Sequence, residues 1–448
     1  RAGLRTALFL DPPDPHQLSR FPGVRAVGVA GTSRSMSPGE MREVLPDTFR
    51  RLGKLAPRIV QYKVCSTFDS SPQIGSIGLA IELGREVLMT RTVPLVVGAP
   101  ILGRYCVFGN LFARSGLDTE PYRLDRHPTM RHHPTTPMTE SDLRRVLAEQ
   151  TRLSVGLVDV LRLALPDDDL LAELRSAASQ PAGEAAREME EVLLFDVLYE
   201  EHLPKIGRVI WELASGWAGQ GGQAPLFAAG SSGLNYSLAA YWRRAGLLGE
   251  PPRFEPPLPV RQVVVVSGSC SPVTQRQLRA AFDSGFEGVA VRPERLVDPE
   301  MAPMEVARGA GEAVRHVRAG RSVIVHTCLG PEDERIESTR RRLQEMGLDP
   351  LASRLATSRC LGQALGQMLR RILEECPVPR AIVVGGDTSG YAARELGIQA
   401  LEMAAPLAPG TPLCRAHAPG TPLHGMEIAF KGGQTGRTEF FPTMLQHG

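Results

Sequence analysis

Four short runs, at residues 263–266, 288–291, 322–326 and 381–384, read VVVV, GVAV, SVIVH and AIVV. Segments of helical period separate them. Near-continuous valine and isoleucine is what a strand needs when both faces of its sheet are covered, and strands alternating with helices make such a sheet parallel. This pattern sets the expected fold: α/β, with a largely parallel sheet flanked by helices.

A chain of 448 residues exceeds one ordinary core. The stretch GEPPRFEPPLPVRQ, residues 249–262, holds five prolines and no periodicity. Proline this dense fits neither a helix nor a central strand. The expected division is therefore a domain over 1–248, a linker over 249–261 and a domain over 262–448, with a substrate cleft between the two.

The first half alternates less cleanly. TALFL, VRAVGVAG, RIVQYKV and VPLVVGA read as strands. In SPGEMREVLPDTFRRLGKL, Ser37 is placed to cap a helix, Pro38 to occupy its first position and Glu40 to complete a capping box. Met41, Val44, Leu45, Phe49 and Leu52 share one helical face, and Pro46 is expected to break or kink the run. Residues 140–215 read as largely helical.

Composition narrows the class. Apolar residues at 42% and charged residues at 22% describe a soluble globular protein. A net charge of +2 offers no broad attraction to nucleic acid or to an anionic membrane, and no apolar run approaches the ~20 residues of a membrane span. Seven dispersed cysteines without a CxxC pair suit reduced thiols in the cytoplasm rather than a disulfide or zinc framework.

Three stretches of the second half are rich in glycine and hydroxyls: SGSCSPVTQRQL, VVGGDTSGYAARELG and FKGGQTGRTEFF. Glycine at a strand's carboxyl end lets backbone approach a ligand, and a following helix presents free N–H groups to phosphate. Ser269, Ser271, Thr388 and Ser389 add hydroxyls, and Lys431 a point charge. Any one stretch is equally well an ordinary tight turn; three together favour a phosphate or nucleotide pocket. Neither GxxxxGK[ST] nor GxGxxG occurs, so neither a P-loop nor a dinucleotide fingerprint is present.

In the first half, Arg34 of GTSRS stands between a strand and a helix, where its guanidinium can fork onto a carboxylate. Lys63, Ser66, Thr67, Asp69 and Ser70 crowd the end of the next strand and suit a polyhydroxylated anion. The plainer readings are a surface arginine and an Asp/Ser-rich turn. For His127, His132 and His133 a metal site stands as the alternative, but adjacent His132 and His133 diverge in an extended segment beside Pro134, and a loop, either structural or reaching over the sugar site, is the better reading. Cys270 reads as a small buried thiol.

GTSRS, YKVCSTFDSSPQIGSIG, HPTTPMTESDL, AGSSGL, SGSCSPVTQRQ, VVGGDTSG and KGGQTG, in this order, resemble the four-carbon acid sugar kinase family. The resemblance runs through nearly the whole chain. It implies an N-terminal acid-sugar domain and a C-terminal nucleotide domain that moves the γ-phosphoryl of ATP, with Mg2+, onto a hydroxyl of a tetronate-type acid. It implies ATP contacts at Ser269, Ser271, Gly385, Gly386, Asp387, Thr388, Ser389, Gly432, Gly433 and Gly436, and acid-sugar contacts at Arg34, Lys63 and Ser66. Lys431 and Asp69 become the catalytic candidates, Lys431 neutralising the transferred group and Asp69 receiving the substrate proton. Asp387 is offered to Mg2+ or a nucleotide hydroxyl, with capping of the following helix as the alternative; no side chain is assigned outright as a metal ligand.

Family members open with a strand and an Asp-Asp-x-Thr-Gly turn, and this chain starts beyond that point, so a missing first strand and turn are expected. Cys65-Ser66-Thr67 replaces the frequent Asp-Ser-Thr and places the chain near a subgroup resembling 3-oxo-isoapionate kinases. The expected partner is a small acid sugar, with neither nucleic acid nor membrane, and a homodimer is compatible. Two rivals stand beside the kinase: a non-catalytic sugar-acid or nucleotide-binding regulator on the same scaffold, and a dehydrogenase, against which the missing GxGxxG counts.

Overall fold

A computed structural model gives the fold and describes residues 2–115, 119–133, 135–179, 190–216, 224–408 and 410–446. The chain forms two compact units. The first comprises Arg1–Gly3, Pro12–Arg20 and Ser33–Pro251; the second comprises Leu4–Asp11, Phe21–Thr32 and Pro252–Gly448. The later boundary falls inside the proline-rich stretch. The N-terminal assignment differs from expectation, because the strands Thr6–Phe9 and Ala26–Val29 belong to the second unit. They look alike in sequence wherever they pair, and only tertiary register distinguishes the two destinations.

The first unit is built on a five-stranded sheet in the order Ile59–Lys63, Leu226–Gly230, Val93–Val96, Val192–Phe195, Val155–Val158. All its pairings are parallel. Successive side chains feed opposite faces, as period-2 geometry requires. Leu95, Leu194, Phe227 and Ala229 enter one core, while Val96, Leu193, Phe195 and Ala228 enter another. Val155–Val158 and Val192–Phe195 correct the expectation of a helical stretch through 140–215. They are four-residue strands, too short for their periodicity to stand out. A separate antiparallel sheet, Arg104–Val107, Asn110–Arg114 and Pro121–Arg123, was also not anticipated.

The helix Pro38–Gly53 carries the expected capping box, with Ser37 accepting from the Glu40 amide and the Glu40 carboxylate accepting from the Ser37 N–H at 2.7 Å. It runs unbroken through Pro46, contrary to expectation. One lost backbone bond is outweighed by a face that buries Met41, Leu45 and Phe49. Val44 is exposed and stands off that face.

The second unit holds a nine-stranded sheet in the order Glu287–Ala290, Val323–His326, Val263–Ser267, Arg380–Val384, Glu427–Lys431, Thr411–His417, Ala400–Ala408, Thr6–Phe9, Ala26–Val29. The first five strands are parallel, the next three pairings antiparallel, and the last pairing parallel. Val264, Val266 and Val325 pack into a core on one face; Val263, Val265 and Ile382 pack on the other.

Arg380, at the start of a central strand, is 1% exposed. Its guanidinium donates to Glu427 at 2.6 and 2.9 Å, to the Met444 carbonyl at 2.6 Å and to the Leu258 carbonyl at 2.9 Å. It thereby ties the linker segment and the C-terminal helix to the sheet. Removing one member of such a buried pair costs about 3–5 kcal/mol, whereas replacing both by apolar groups is often neutral. Arg380→Met is expected to lose that much in urea denaturation, and Arg380→Met with Glu427→Leu to recover most of it.

Candidate functional site

Each unit gathers one cluster of polar groups at the carboxyl ends of its strands. In the second unit the register sets Ser267 opposite Val384 and Val384 opposite Lys431, so three strands end level. The three glycine-rich stretches leave from this line. Gly268 N–H donates to the Val384 carbonyl and Gly385 N–H to the Lys431 carbonyl, both at 2.9 Å.

The turns then interlock. Ser271 caps the helix Pro272–Asp283 by accepting from the Thr274 amide at 3.0 Å, and its own hydroxyl donates to the Gly433 carbonyl at 2.5 Å. The Thr274 hydroxyl donates to the same carbonyl at 3.0 Å and lies 2.9 Å from the Ser269 hydroxyl. Gly433 has no alternative here, because a Cβ would lie 2.4 Å from Ser269 Oγ. From the helix, fully buried Gln277 donates to the carbonyls of Thr435 and Arg437 at 3.0 and 2.8 Å. Thr274 and Gln277 were not singled out by sequence reasoning. Their signal was weak: two polar residues three apart on the buried face of an amphipathic helix.

The helix Gly386–Glu395 begins on Gly385, which has φ +137° and supplies no side-chain cap. A Cβ at Gly386 would meet nothing within 4 Å. A helix leaves the N–H groups of its first turn without intrahelical partners, and no side-chain cap takes them up here. Gly385 occupies the capping position, and the Asp387 side chain lies outside the described ones. Thr388 is buried against Gly268 and Gly385, and the Ser389 hydroxyl is satisfied by the Gly385 carbonyl.

Lys431 is fully buried, with its ammonium 3.0 Å from the Gly432 carbonyl and 5.6 Å from the centre of the Phe440 ring. Burial draws its pKa down to about 8. Gly432 has only Thr435 within reach of a Cβ, at 3.6 Å, and Gly436 needs its φ of +85° to turn beneath Phe440.

In the first unit, Arg34 and Asp69 meet at 2.6 Å. The Asp69 side chain is wholly buried and its other oxygen accepts from the Thr67 hydroxyl at 2.6 Å. The Arg34 guanidinium is half exposed and also lies 3.4 Å from His133 Nε2. His133 Nδ1 in turn accepts from the Thr136 amide at 3.1 Å, so the histidine-bearing loop reaches this cluster. His127 instead accepts from the amides of Thr129 and Met130 and is structural. Lys63 is exposed, with its ammonium 3.2 Å from the Val64 carbonyl; partial desolvation lowers its pKa, opposed by Cys65. Ser66 stands half-buried in the adjoining turn.

Phe68 is the strained point of this turn. It is completely buried with φ +53°, a left-handed conformation that costs a bulky residue about 1–3 kcal/mol and persists only where surroundings over-determine it. Gly75, at φ +59°, lets this loop back onto Arg34, whose carbonyl would lie 2.4 Å from a Cβ. Gln150 fastens the far side: its amide donates to Ser70 Oγ at 2.9 Å and accepts from the Gly78 amide at 3.0 Å.

Among the described residues no group of three His, Cys, Asp or Glu side chains could hold a metal, and no helix is long and apolar enough to cross a membrane.

Residues 1–238 match the family profile of a sugar-binding N-terminal domain and residues 264–441 that of a nucleotide-binding C-terminal domain. The class is thus a two-domain protein of sugar-binding and nucleotide-binding parts. The chain belongs to the four-carbon acid sugar kinase family. A 3-oxo-isoapionate kinase from Paraburkholderia graminis is 43% identical over 98% of this chain and 88% of its own length. A 3-oxo-tetronate kinase from Pseudomonas fluorescens is 29% identical over 99% and 92%. A solved structure from Salmonella typhimurium LT2 superposes with a TM-score of 0.71 at 25% identity, covering 98% of this chain and 93% of that one.

The buried lysine has a measurable signature. An unfolded lysine titrates near ~10.4. Between about 8 and that value the unfolded chain holds a proton that the folded chain has released, so stability from this position rises with pH across the window and is level below it. Unfolding free energy is expected to gain on the order of 3 kcal/mol from this group over that range. In Lys431→Met the gain should vanish from the pH dependence of denaturation.

Proposed function

We propose that this chain is an ATP-dependent kinase that phosphorylates a hydroxyl of a four-carbon or branched acid sugar, with 3-oxo-isoapionate the first acceptor to try. The observation that carries the reading is a level, glycine-rich strand-end edge in which Ser271 and Thr274 hold the Gly433 carbonyl and the helix Gly386–Glu395 opens on a glycine with no side-chain cap. The 3-oxo-isoapionate and 3-oxo-tetronate kinases among its relatives supply the acceptor class.

Phosphoryl transfer asks little covalent chemistry of a protein; it needs in-line placement and compensation of charge on the phosphate oxygens. In this reading the N–H groups of Gly386, Asp387 and Thr388 receive phosphate oxygens, and Lys431 adds a fixed cation. Ser271 acts mainly by holding the Gly433 carbonyl, and Ser269 by holding the Thr274 hydroxyl that shares it, since both serine hydroxyls are already engaged. Gly432 and Gly436 keep the loop clear of side chains. Mg2+ favours oxygen ligands and retains waters, and here it would arrive with the phosphates, because the described side chains form no cage for it.

Arg34, Lys63 and Ser66 are assigned to the acid sugar, the arginine fork to its carboxylate. For Asp69 we revise the expected role. A carboxylate with no exposed surface, paired to Arg34 and bonded to Thr67, is placed to orient the guanidinium rather than to take a substrate proton. Arg34→Lys should raise KM for the acid sugar roughly 10–100-fold, as loss of one charge-assisted bond implies, and leave KM for ATP unchanged. Asp69→Asn should move the same parameter.

Gly386→Ala isolates the nucleotide half. Nothing in the protein opposes the methyl group, and alanine is the better helix residue, so thermal stability should hold or rise slightly. ATP affinity should nevertheless fall about tenfold or more as the methyl enters phosphate space. The deciding assay is ADP release with Mg2+ across tetronates, 3-oxo-tetronates and 3-oxo-isoapionate. Turnover with none of them overturns the kinase reading, and nucleotide binding without turnover favours the regulator.

A further inference from the structure

Two of the chain's cysteines stand apart from the rest. Cys270 lies in the turn between Ser269 and Ser271, and Cys328 lies two residues beyond the strand Val323–His326. Their sulfurs are 2.9 Å apart and both thiols are free. Cys270 is exposed, correcting the expectation of a buried thiol, although its sulfur is turned inward; Cys328 is 2% exposed. The strands Val263–Ser267 and Val323–His326 are hydrogen-bonded neighbours, with Ser267 opposite His326, so the sheet itself fixes this juxtaposition.

We propose that Cys270 and Cys328 form a reversible intramolecular disulfide when the protein meets a peroxide, and that the disulfide form binds nucleotide more weakly. The second clause rests on the nucleotide reading above. The chemistry closes without a further reactant: one sulfur of the pair attacks one peroxide oxygen, breaking the O–O bond and leaving a sulfenic acid and water. The other sulfur then attacks the sulfenic sulfur, forming the S–S bond and releasing hydroxide, which leaves as water with the remaining thiol proton. Two thiols and one hydrogen peroxide give one disulfide and two waters. The shared hydrogen bond lowers the pKa of Cys328 and raises that of Cys270, so one thiolate is available at less cost than from an isolated pair. Asp333 and Arg335, the charged groups facing both sulfurs, act in opposite directions.

Bond formation must draw the sulfurs together by about 0.9 Å, since a disulfide spans ~2.05 Å. Cys328 is held in the buried strand end, so the Cys270 turn does most of the moving. Ser271 and Thr274 both hold the Gly433 carbonyl, so a shift of that turn disturbs the interlocked edge. Misplacement on this scale is enough to weaken a positioned contact tenfold or more.

The test uses the full chain treated with hydrogen peroxide, alkylated, digested and mapped by mass spectrometry, with binding of an ATP analogue measured before oxidation, after it, and after dithiothreitol. The expected result is a peptide cross-linked between Cys270 and Cys328, a roughly tenfold loss of affinity and its recovery on reduction. Cys270→Ser should bind the analogue normally and be insensitive to peroxide; Cys328→Ser provides the matching control if it folds. Absence of the cross-link, or full peroxide sensitivity in Cys270→Ser, overturns the proposal. A cross-link with unchanged affinity overturns its second clause. If the reduced protein binds no ATP analogue at all, the nucleotide reading fails, and the mapping still reports on the disulfide.

Discussion

The carbonyl of Gly433 is the point on which the second unit's polar edge depends. It receives hydroxyls from Ser271 and Thr274, and its α-carbon sits too near Ser269 Oγ for any side chain. Two loops distant in sequence thereby become one surface. The geometry is available only because parallel register brings Ser267, Val384 and Lys431 level before the turns begin. Valine-rich strands supply that register through burial on both faces, so the hydrophobic pattern and the polar edge are one design seen at two levels.

Satisfied hydroxyls change how the edge is to be understood. Serines at a strand end invite assignment as direct ligand contacts. Here Ser269, Ser271 and Ser389 spend their hydrogen bonds inside the protein, and the helix Gly386–Glu395 begins without a side-chain cap on its first-turn backbone donors. The same holds in the first unit, where Thr67 and Asp69 serve Arg34, the group left half exposed. In both places polar side chains fix geometry and hand the ligand a smaller set of donors. Such preorganisation limits the reorganisation that binding would otherwise require.

Much of this was legible in the sequence. The Val/Ile runs, the proline-dense boundary, the Ser37–Glu40 box and the Ser271 cap all follow from local chemistry, and local chemistry is what a sequence displays. The strands Thr6–Phe9 and Ala26–Val29 went to the other unit because a four-residue apolar run carries no mark of its partner. Val155–Val158 and Val192–Phe195 were hidden by their shortness. Pro46 misled because a proline's local cost was weighed without the buried face that outweighs it. At the candidate site, Arg34 and Lys431 were proposed from charge and setting. Gln150, Gln277 and Phe68 did not, since their contributions are two long-range amide bridges and one backbone angle.

Lys431 shows why a buried cation is tolerable at this edge. An ammonium without surface and with one close carbonyl is poorly compensated, which is what draws its pKa down. A protein gains nothing in stability from that arrangement. Under the proposed kinase function the cost would be offset by an arriving phosphate, because a low-dielectric setting that penalises the lone charge strengthens its attraction to an anion. Affinity for the anion and instability without it are therefore the same electrostatic quantity, read in two states. An alternative in which Lys431 is a packing residue would have no use for the charge, and methionine would fill the space beside Phe440 at lower cost.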